Sequence, residues 1–407
     1  MKNLVRFIKY YKMMINGGDC YKKVVLSFLT IFVLAGLLAS TLALAEEEKV
    51  KVNLNEVHDS CWSKLTPTQL TQQKVTVPES WVEGCFKKNE VKKVSTSTGR
   101  KYSWGVHKIK APEALSVLKK IYGEEIPSEK TIAVIDSGVS FSNQLLQNRR
   151  WENKDEQAED GVDNDHNGFV DDRYGWNFYE DKAPSPTGTN SYFHGSFVSG
   201  VLTEFVPRAQ IMSLKVTDDE GNFERDEVVA RAITYAVKNG CDIINLSISF
   251  DSEPSALTEQ AIEKAYNKGI PIIGGVGNKS SEVQWPGRYD EVFATTAIDE
   301  GNRLYSKANT GSSVFISASG VSVDSIDSSG EEVTASGTSF SAPYVSGVVA
   351  LMLSANPELK VFEIRDILAM TASDLGPPGL DKKFGWGLVD AESAVRKALE
   401  LKEKEDG

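Results

Sequence analysis

Three side chains in this chain of 407 residues have the types and settings for nucleophilic attack on a carbonyl, and the one with the clearest setting is a serine. Gly337-Thr338-Ser339-Phe340-Ser341-Ala342-Pro343 is a run of small residues that permits a tight turn, and it opens onto the nearly uncharged segment 344–353. The pattern predicts a loop feeding a buried helix with Ser339 at its start. A helix N-terminus carries partial positive charge and unpaired N–H groups, which favour the oxyanion formed when a serine oxygen adds to a carbonyl. Serine is also a good helix cap, so the stretch taken alone fits a structural role too.

Two upstream stretches supply partners for it. Thr131-Ile132-Ala133-Val134-Ile135-Asp136-Ser137-Gly138 predicts a buried strand of β-branched residues that delivers the Asp136 carboxylate at its C-terminal end, where open α/β sheets build their sites. Phe193-His194-Gly195-Ser196-Phe197-Val198-Ser199-Gly200-Val201-Leu202 predicts an imidazole at the start of another small-residue, apolar helix. A lone histidine there would fit a structural part. Asp, His and Ser in that chain order is, however, one of the orders in which catalytic triads occur.

With these residues the chain resembles the subtilisin-like serine peptidases. The family's signatures are Asp-Ser/Thr-Gly, His-Gly-Ser/Thr-x-Val and Gly-Thr-Ser-x-Ser/Ala-x-Pro. The chain has Asp136-Ser137-Gly138, His194-Gly195-Ser196-Phe197-Val198 and Gly337 through Pro343. A fourth stretch, Pro271-Ile272-Ile273-Gly274-Gly275-Val276-Gly277-Asn278, is similar to the family's strand ending in Gly-Asn, whose side-chain amide completes the oxyanion hole. The likeness runs from Trp104-Gly105-Val106 to Gly385-Trp386-Gly387-Leu388-Val389-Asp390.

The resemblance implies a serine endopeptidase that works through an acyl-enzyme, with Asp136, His194 and Ser339 catalytic and Asn278 in the oxyanion hole. It also implies that Ser247-Ile248-Ser249 pairs with an extended substrate, and that Gly275, Lys279 and Gln284 lie at the pocket for the residue preceding the cleaved bond. In many relatives the position of Lys279 is acidic or neutral and that of Gln284 is glycine. Here Gln284 is expected to fill part of the pocket and Lys279 to add positive charge at its rim, which would favour Glu or Gln over large aromatics. The alternative is a catalytically dead subtilisin fold acting as a binding module; Phe197, where relatives have a second histidine, is a departure in its favour. The chain order and the lack of a G-x-S-x-G around Ser339 argue against a lipase or esterase.

The elements around these residues alternate. Segment 209–216 predicts a strand, 226–239 an amphipathic helix stopped at Gly240, 242–249 a strand, and 257–268 a helix stopped at Gly269 before the strand into Asn278. Repeated βα units predict an α/β fold: a doubly wound, mostly parallel sheet with helices on both faces, plus a small N-terminal segment. The peptidase domain is expected at 99–400, followed by a charged tail at 401–407.

Residues 1–23 hold six Lys or Arg and one acid, and 24–45 is an uncharged run ending Ala43-Leu44-Ala45. This reads as a secretory signal cleaved after Ala45, or as a retained anchor, since the run can span a bilayer. The expected location is therefore outside the cytoplasm, secreted or periplasmic, with a membrane as partner only if 24–45 is retained. The net charge of −12 becomes −17 once the leader is removed, because 39 basic and 56 acidic residues remain. That excess of acid excludes nucleic acid and anionic membrane surfaces as partners and leaves protein or peptide substrates; a monomer is expected. Segment 46–98 is read as propeptide-like or as a small cap stapled by Cys61 and Cys85, while Cys241 is read as a buried free thiol.

The chemistry requires no cofactor. A structural Ca2+ is suggested by the acidic stretch 151–190, in which Asp163, Asp165, Asn167 and Asp171 place oxygens in the first half of a calcium-loop pattern. Tyr174 stands at the twelfth position, so an EF-hand is not supported, and a solvated acidic turn is the other reading. The calcium-binding Asp that many relatives carry nine residues after the catalytic Asp is Leu145 here.

Overall fold

The computed structural model describes residues 49–53, 74–78 and 102–406, apart from 128, 144, 185–192, 219–220 and 223–224. The chain divides into two units, Met1–Lys101 and Tyr102–Gly407. In the first, β1 (Lys49–Asn53) and β2 (Lys74–Pro78) pair antiparallel, with Val50 opposite Val77. The expected leader and both Cys61 and Cys85 lie outside the described residues.

The second unit is built on a seven-stranded sheet whose every pairing is parallel. Its strands are β3 (Thr131–Asp136), β4 (Trp176–Asn177), β5 (Gln210–Lys215), β6 (Ile243–Leu246), β7 (Ile272–Gly275), β8 (Val292–Ile298) and β9 (Ile316–Ser319), in the order β4-β5-β3-β6-β7-β8-β9. Side chains alternate across a strand, and both faces of this sheet are buried, so the strands read as continuous apolar runs rather than alternating ones. On β3, Ile132 and Val134 join one core while Ala133 and Ile135 join the other.

Helices cover each face. α1 (Trp104–Lys108) and α2 (Ala111–Tyr122) precede the sheet; α3 (His194–Phe205), α4 (Glu227–Lys238) and α5 (Ala256–Asn267) connect its strands; α6 (Thr338–Ala355), α7 (Val361–Thr371) and α8 (Ala391–Asp406) follow it. α3 and α6 pack on each other and against the face that holds Ile132, whereas α4 and α5 pack on the opposite one. α6 is long and apolar enough to cross a membrane, but its whole length is buried inside the fold, which identifies it as the core helix.

Two expected boundaries shift. The strand predicted over 242–249 ends at Leu246, the last residue paired with β3 and β7, and Ser247-Ile248-Ser249 leaves the sheet. The charged tail expected at 401–407 continues α8 as far as Asp406, because Leu399 and Leu401 pack against the core and keep the helix seated.

Candidate active site

The chain runs from β3 out to β4 at the edge, returns to β5 beside β3, then crosses to β6 on the other side of β3, so the sheet has its topological switch there. Crevices at the C-terminal ends of strands form at such points. Asp136 is the last residue of β3, Ser247 follows β6, and Asn278 follows β7. His194 is the first residue of α3 and Ser339 the second of α6. A cleft of about 230 Å3 is lined by Asp136, His194, Asn278 and Ser339 among others.

Asp136 is 1% exposed. Both of its carboxylate oxygens face His194 Nδ1, at 2.8 and 2.9 Å, and His194 Nε2 lies 2.9 Å from Ser339 Oγ. Burial pulls the His194 pKa down, but the charge and hydrogen bond of Asp136 outweigh it and hold the imidazole above its ordinary value. The imidazole can therefore accept the Ser339 proton while its far side is tied to a carboxylate.

Backbone and hydroxyl contacts set this geometry, and the sequence reading assigned none of these contacts. Ser137 N–H donates to Asp136 Oδ1 at 2.6 Å, and Ser137 Oγ accepts from Gly195 N at 3.0 Å, so the end of β3 is tied to the start of α3. Pro343 lies inside α6 and lacks the N–H that would reach back to the Ser339 carbonyl. Ser247 Oγ donates to that carbonyl instead, at 2.8 Å. Asn245 Nδ2 donates to Ser247 Oγ, and Ser346 Oγ donates to Asn245 Oδ1, both at 2.9 Å, which pins α6 to β6 through a buried polar chain. The proline within a predicted helix is the one sequence signal that could have pointed to Ser247 as its substitute donor.

Asn278 is oriented in the same manner. Its Oδ1 accepts from Thr338 N at 2.9 Å, which leaves the Nδ2 amine for a ligand oxygen, and Thr338 Oγ1 accepts from Gly277 N at 3.1 Å. Gly277 has φ +99, and a Cβ there would collide with Gln284 Oε1 and Asn309 Nδ2, so the turn into Asn278 requires glycine.

Residues 128–387 match the sequence model of the Subtilase family. The chain belongs to the subtilase family. It is 32% identical to subtilisin DY of Bacillus licheniformis over 51% of this chain and 79% of that protein. It is 27% identical to M-protease of Shouchella clausii over 87% and 84% of the two chains, and 30% identical to the minor extracellular protease Epr of Bacillus subtilis over 52% and 36%. This subtilase is a serine-type endopeptidase, a hydrolase.

Of the expected substrate-binding residues, Ser247, Ile248, Ser249 and Gly275 line the cleft. Lys279 and Gln284 are not among its lining residues. The free positive charge expected of Lys279 is met by the Asp251 carboxylate, which also accepts from Gln284 Nε2 at 2.6 Å. Nothing in the sequence linked Asp251 to either residue, since 28 and 33 positions separate them from it.

The acidic stretch is also arranged differently from the expected ligand set. Asp163 and Asp165 accept backbone N–H groups of Asn167 and Gly168, and Asp171 accepts those of Asp160 and Gly161. Asn167 turns its amine toward Asp165 and Asp172, so it donates where a metal ligand would have to accept. The carboxylates that converge are Glu156, Asp165 and Asp172 in one group and Glu156, Asp160 and Asp171 in another, with oxygens within 4.8 Å of one another. Asp163 belongs to neither. Leu145 is 63% exposed, on the surface.

Proposed function

We propose that this subtilase cleaves peptide bonds through an acyl-enzyme formed on Ser339. The supporting observation is His194, hydrogen-bonded to both Asp136 oxygens and 2.9 Å from Ser339 Oγ, at the mouth of a cleft. Ser339 Oγ attacks the substrate carbonyl as its proton passes to His194 Nε2; the imidazolium then returns that proton to the leaving amine. Asp136 keeps the imidazole oriented and stabilises its charged form. The oxyanion is held by Asn278 Nδ2 and the Ser339 N–H at the start of α6; a donor of this kind is worth roughly a hundred- to a thousandfold in turnover. Water repeats the sequence on the acyl-enzyme and frees Ser339. The Ser247-Ile248-Ser249 segment, released from the sheet beside the cleft, has backbone groups for pairing with an extended substrate.

The chain is proposed to be exported by residues 1–45, with residues 46–98 acting as a propeptide removed by self-cleavage; the relative Epr is extracellular by its name. A structural Ca2+ is proposed at Glu156, Asp165 and Asp172. The hard oxygen donors suit that ion, and Glu156 and Asp172 are 1% and 0% exposed, with burial raising the pKa of each. The ion would stabilise the fold and takes no part in the chemistry.

The test uses exported protein from the wild type and from Ser339→Ala, treated with a fluorophosphonate probe and N-terminally sequenced. Labelling and a shortened N-terminus in the wild type, both absent in the variant, are expected. Folded wild type that takes no label would indicate the binding-module alternative.

A further inference from the structure

The side chain that precedes a cleaved bond has few places to go. With its carbonyl carbon at Ser339 and its oxygen at Asn278, it must enter the wall formed by Gly275, Gly277 and Ser247-Ile248-Ser249. Glycines at two of these positions keep the wall thin, with Thr338 packed against Gly275 and Gln284 and Asn309 against Gly277, so what stands behind it sets the depth. Gln284 stands there: it is 8% exposed, its Oε1 is 3.4 Å from Ser249 Oγ, and a Cβ on Gly277 would strike it. Its amide is held at both ends. Oε1 accepts from Ser249 and from Asn309 Nδ2 at 3.3 Å, while Nε2 donates to Asp251 at 2.6 Å. Asn309 is itself fixed, fully buried with its Oδ1 accepting from Lys279 N and Ser281 N at 2.8 and 3.0 Å.

Resting on the peptidase reading, we propose that Gln284 plugs the pocket for the residue preceding the cleaved bond, and that Asp251 latches the plug and cancels the charge of Lys279. The substrate class is then a polypeptide with a small uncharged residue, Gly, Ala or Ser, before the cleaved bond. Large aromatics are excluded by volume, because a latched amide with three partners cannot swing aside without leaving buried groups unpaired. Acidic side chains gain nothing, because Asp251 already occupies Lys279 and repels a second carboxylate. Asp251 and Gln284 are specificity-determining residues, and neither takes part in the chemical step.

The test is hydrolysis of a peptide series varied only at that position, with fluorophosphonate labelling to count competent sites in each protein. Wild type is expected to favour Ala over Phe. Gln284→Gly should raise kcat/KM for Phe relative to Ala by about tenfold or more, the discrimination that a few methylenes of pocket depth supply. Asp251→Asn leaves the core untouched, and should raise Glu relative to Ala by roughly fivefold at low salt and less at high salt, the limit for an exposed ion pair. Labelled wild type that prefers Phe or Glu, or a labelled Gln284→Gly with an unaltered order, overturns the specificity proposal alone. Folded wild type that neither labels nor cleaves overturns the peptidase reading and this proposal with it.

Discussion

His194 is subject to two opposed effects whose balance predicts a pH profile. Burial disfavours its charged form; the charge of Asp136 and its hydrogen bond favour it, and they prevail. If His194 is the general base proposed above, it must be neutral to take the Ser339 proton, and activity should rise with pH through a midpoint above the ordinary histidine value of about 6.5. In Asp136→Asn the favourable effects are lost and burial remains, so the midpoint should move down while kcat falls by roughly 10,000-fold. The check is kcat/KM against pH for both proteins. A midpoint that does not move in Asp136→Asn would mean that another group controls the limb.

At the scale of elements, the distance from His194 to Ser339 is set by how closely α3 approaches α6. Gly347 on α6 faces the ring of Phe205 on α3, and an added Cβ would overlap that ring. Nearer the cleft, Phe197 and Phe340 pack with their rings tilted and centroids 4.3 Å apart, and Phe340 lies 5.0 Å from the His194 ring. Phe197 is fully buried, so an aromatic packs where relatives carry a second histidine, and this departure is accounted for by packing without loss of the His194 contacts. Gly347→Ala should wedge the helices apart, lowering stability by about 1–3 kcal/mol and reducing kcat more than it raises KM, because overpacking a dense core displaces its neighbours. Thermal melting together with steady-state kinetics reads both effects. Unchanged Tm and kcat would show that the two helices can repack without cost.

Across the whole molecule, the acidic stretch that follows β3 is joined to the sheet and its helices by aromatic packing. Phe169 makes edge contacts with Trp176, Phe178 and Tyr235, and Tyr235 Oη donates to Asp172 Oδ2 at 2.7 Å, so α4 reaches the carboxylate cluster directly. If Ca2+ binds there, it acts on the folded state alone and stabilises it by mass action, about 2.7 kcal/mol at one hundred times Kd. Raising Ca2+ from chelator to millimolar levels should then lift Tm by roughly 5 °C, and Asp165→Ala should remove the response. An equal Ca2+ response in wild type and variant, or none in either, would return the loop to the solvated-turn reading.

The family was legible in the sequence because its marks are local. Asp136, His194, Asn278 and Ser339 each sit in a short motif whose small residues are demanded by a turn or a helix start, and alternating βα units limit the sheet to one class of topology. Covalent neighbours alone determine such features. Contacts between residues distant in the chain were not legible: Ser247 replacing the N–H that Pro343 lacks, Thr338 turning the Asn278 amide, Asp251 binding both Lys279 and Gln284, and Glu156 and Asp172 converging with Asp165. Each depends on which strand lies beside which and on how far each loop travels after leaving the sheet. For Lys279 the sequence carries a charge but no partner, and only folding brings Asp251 to pair with it.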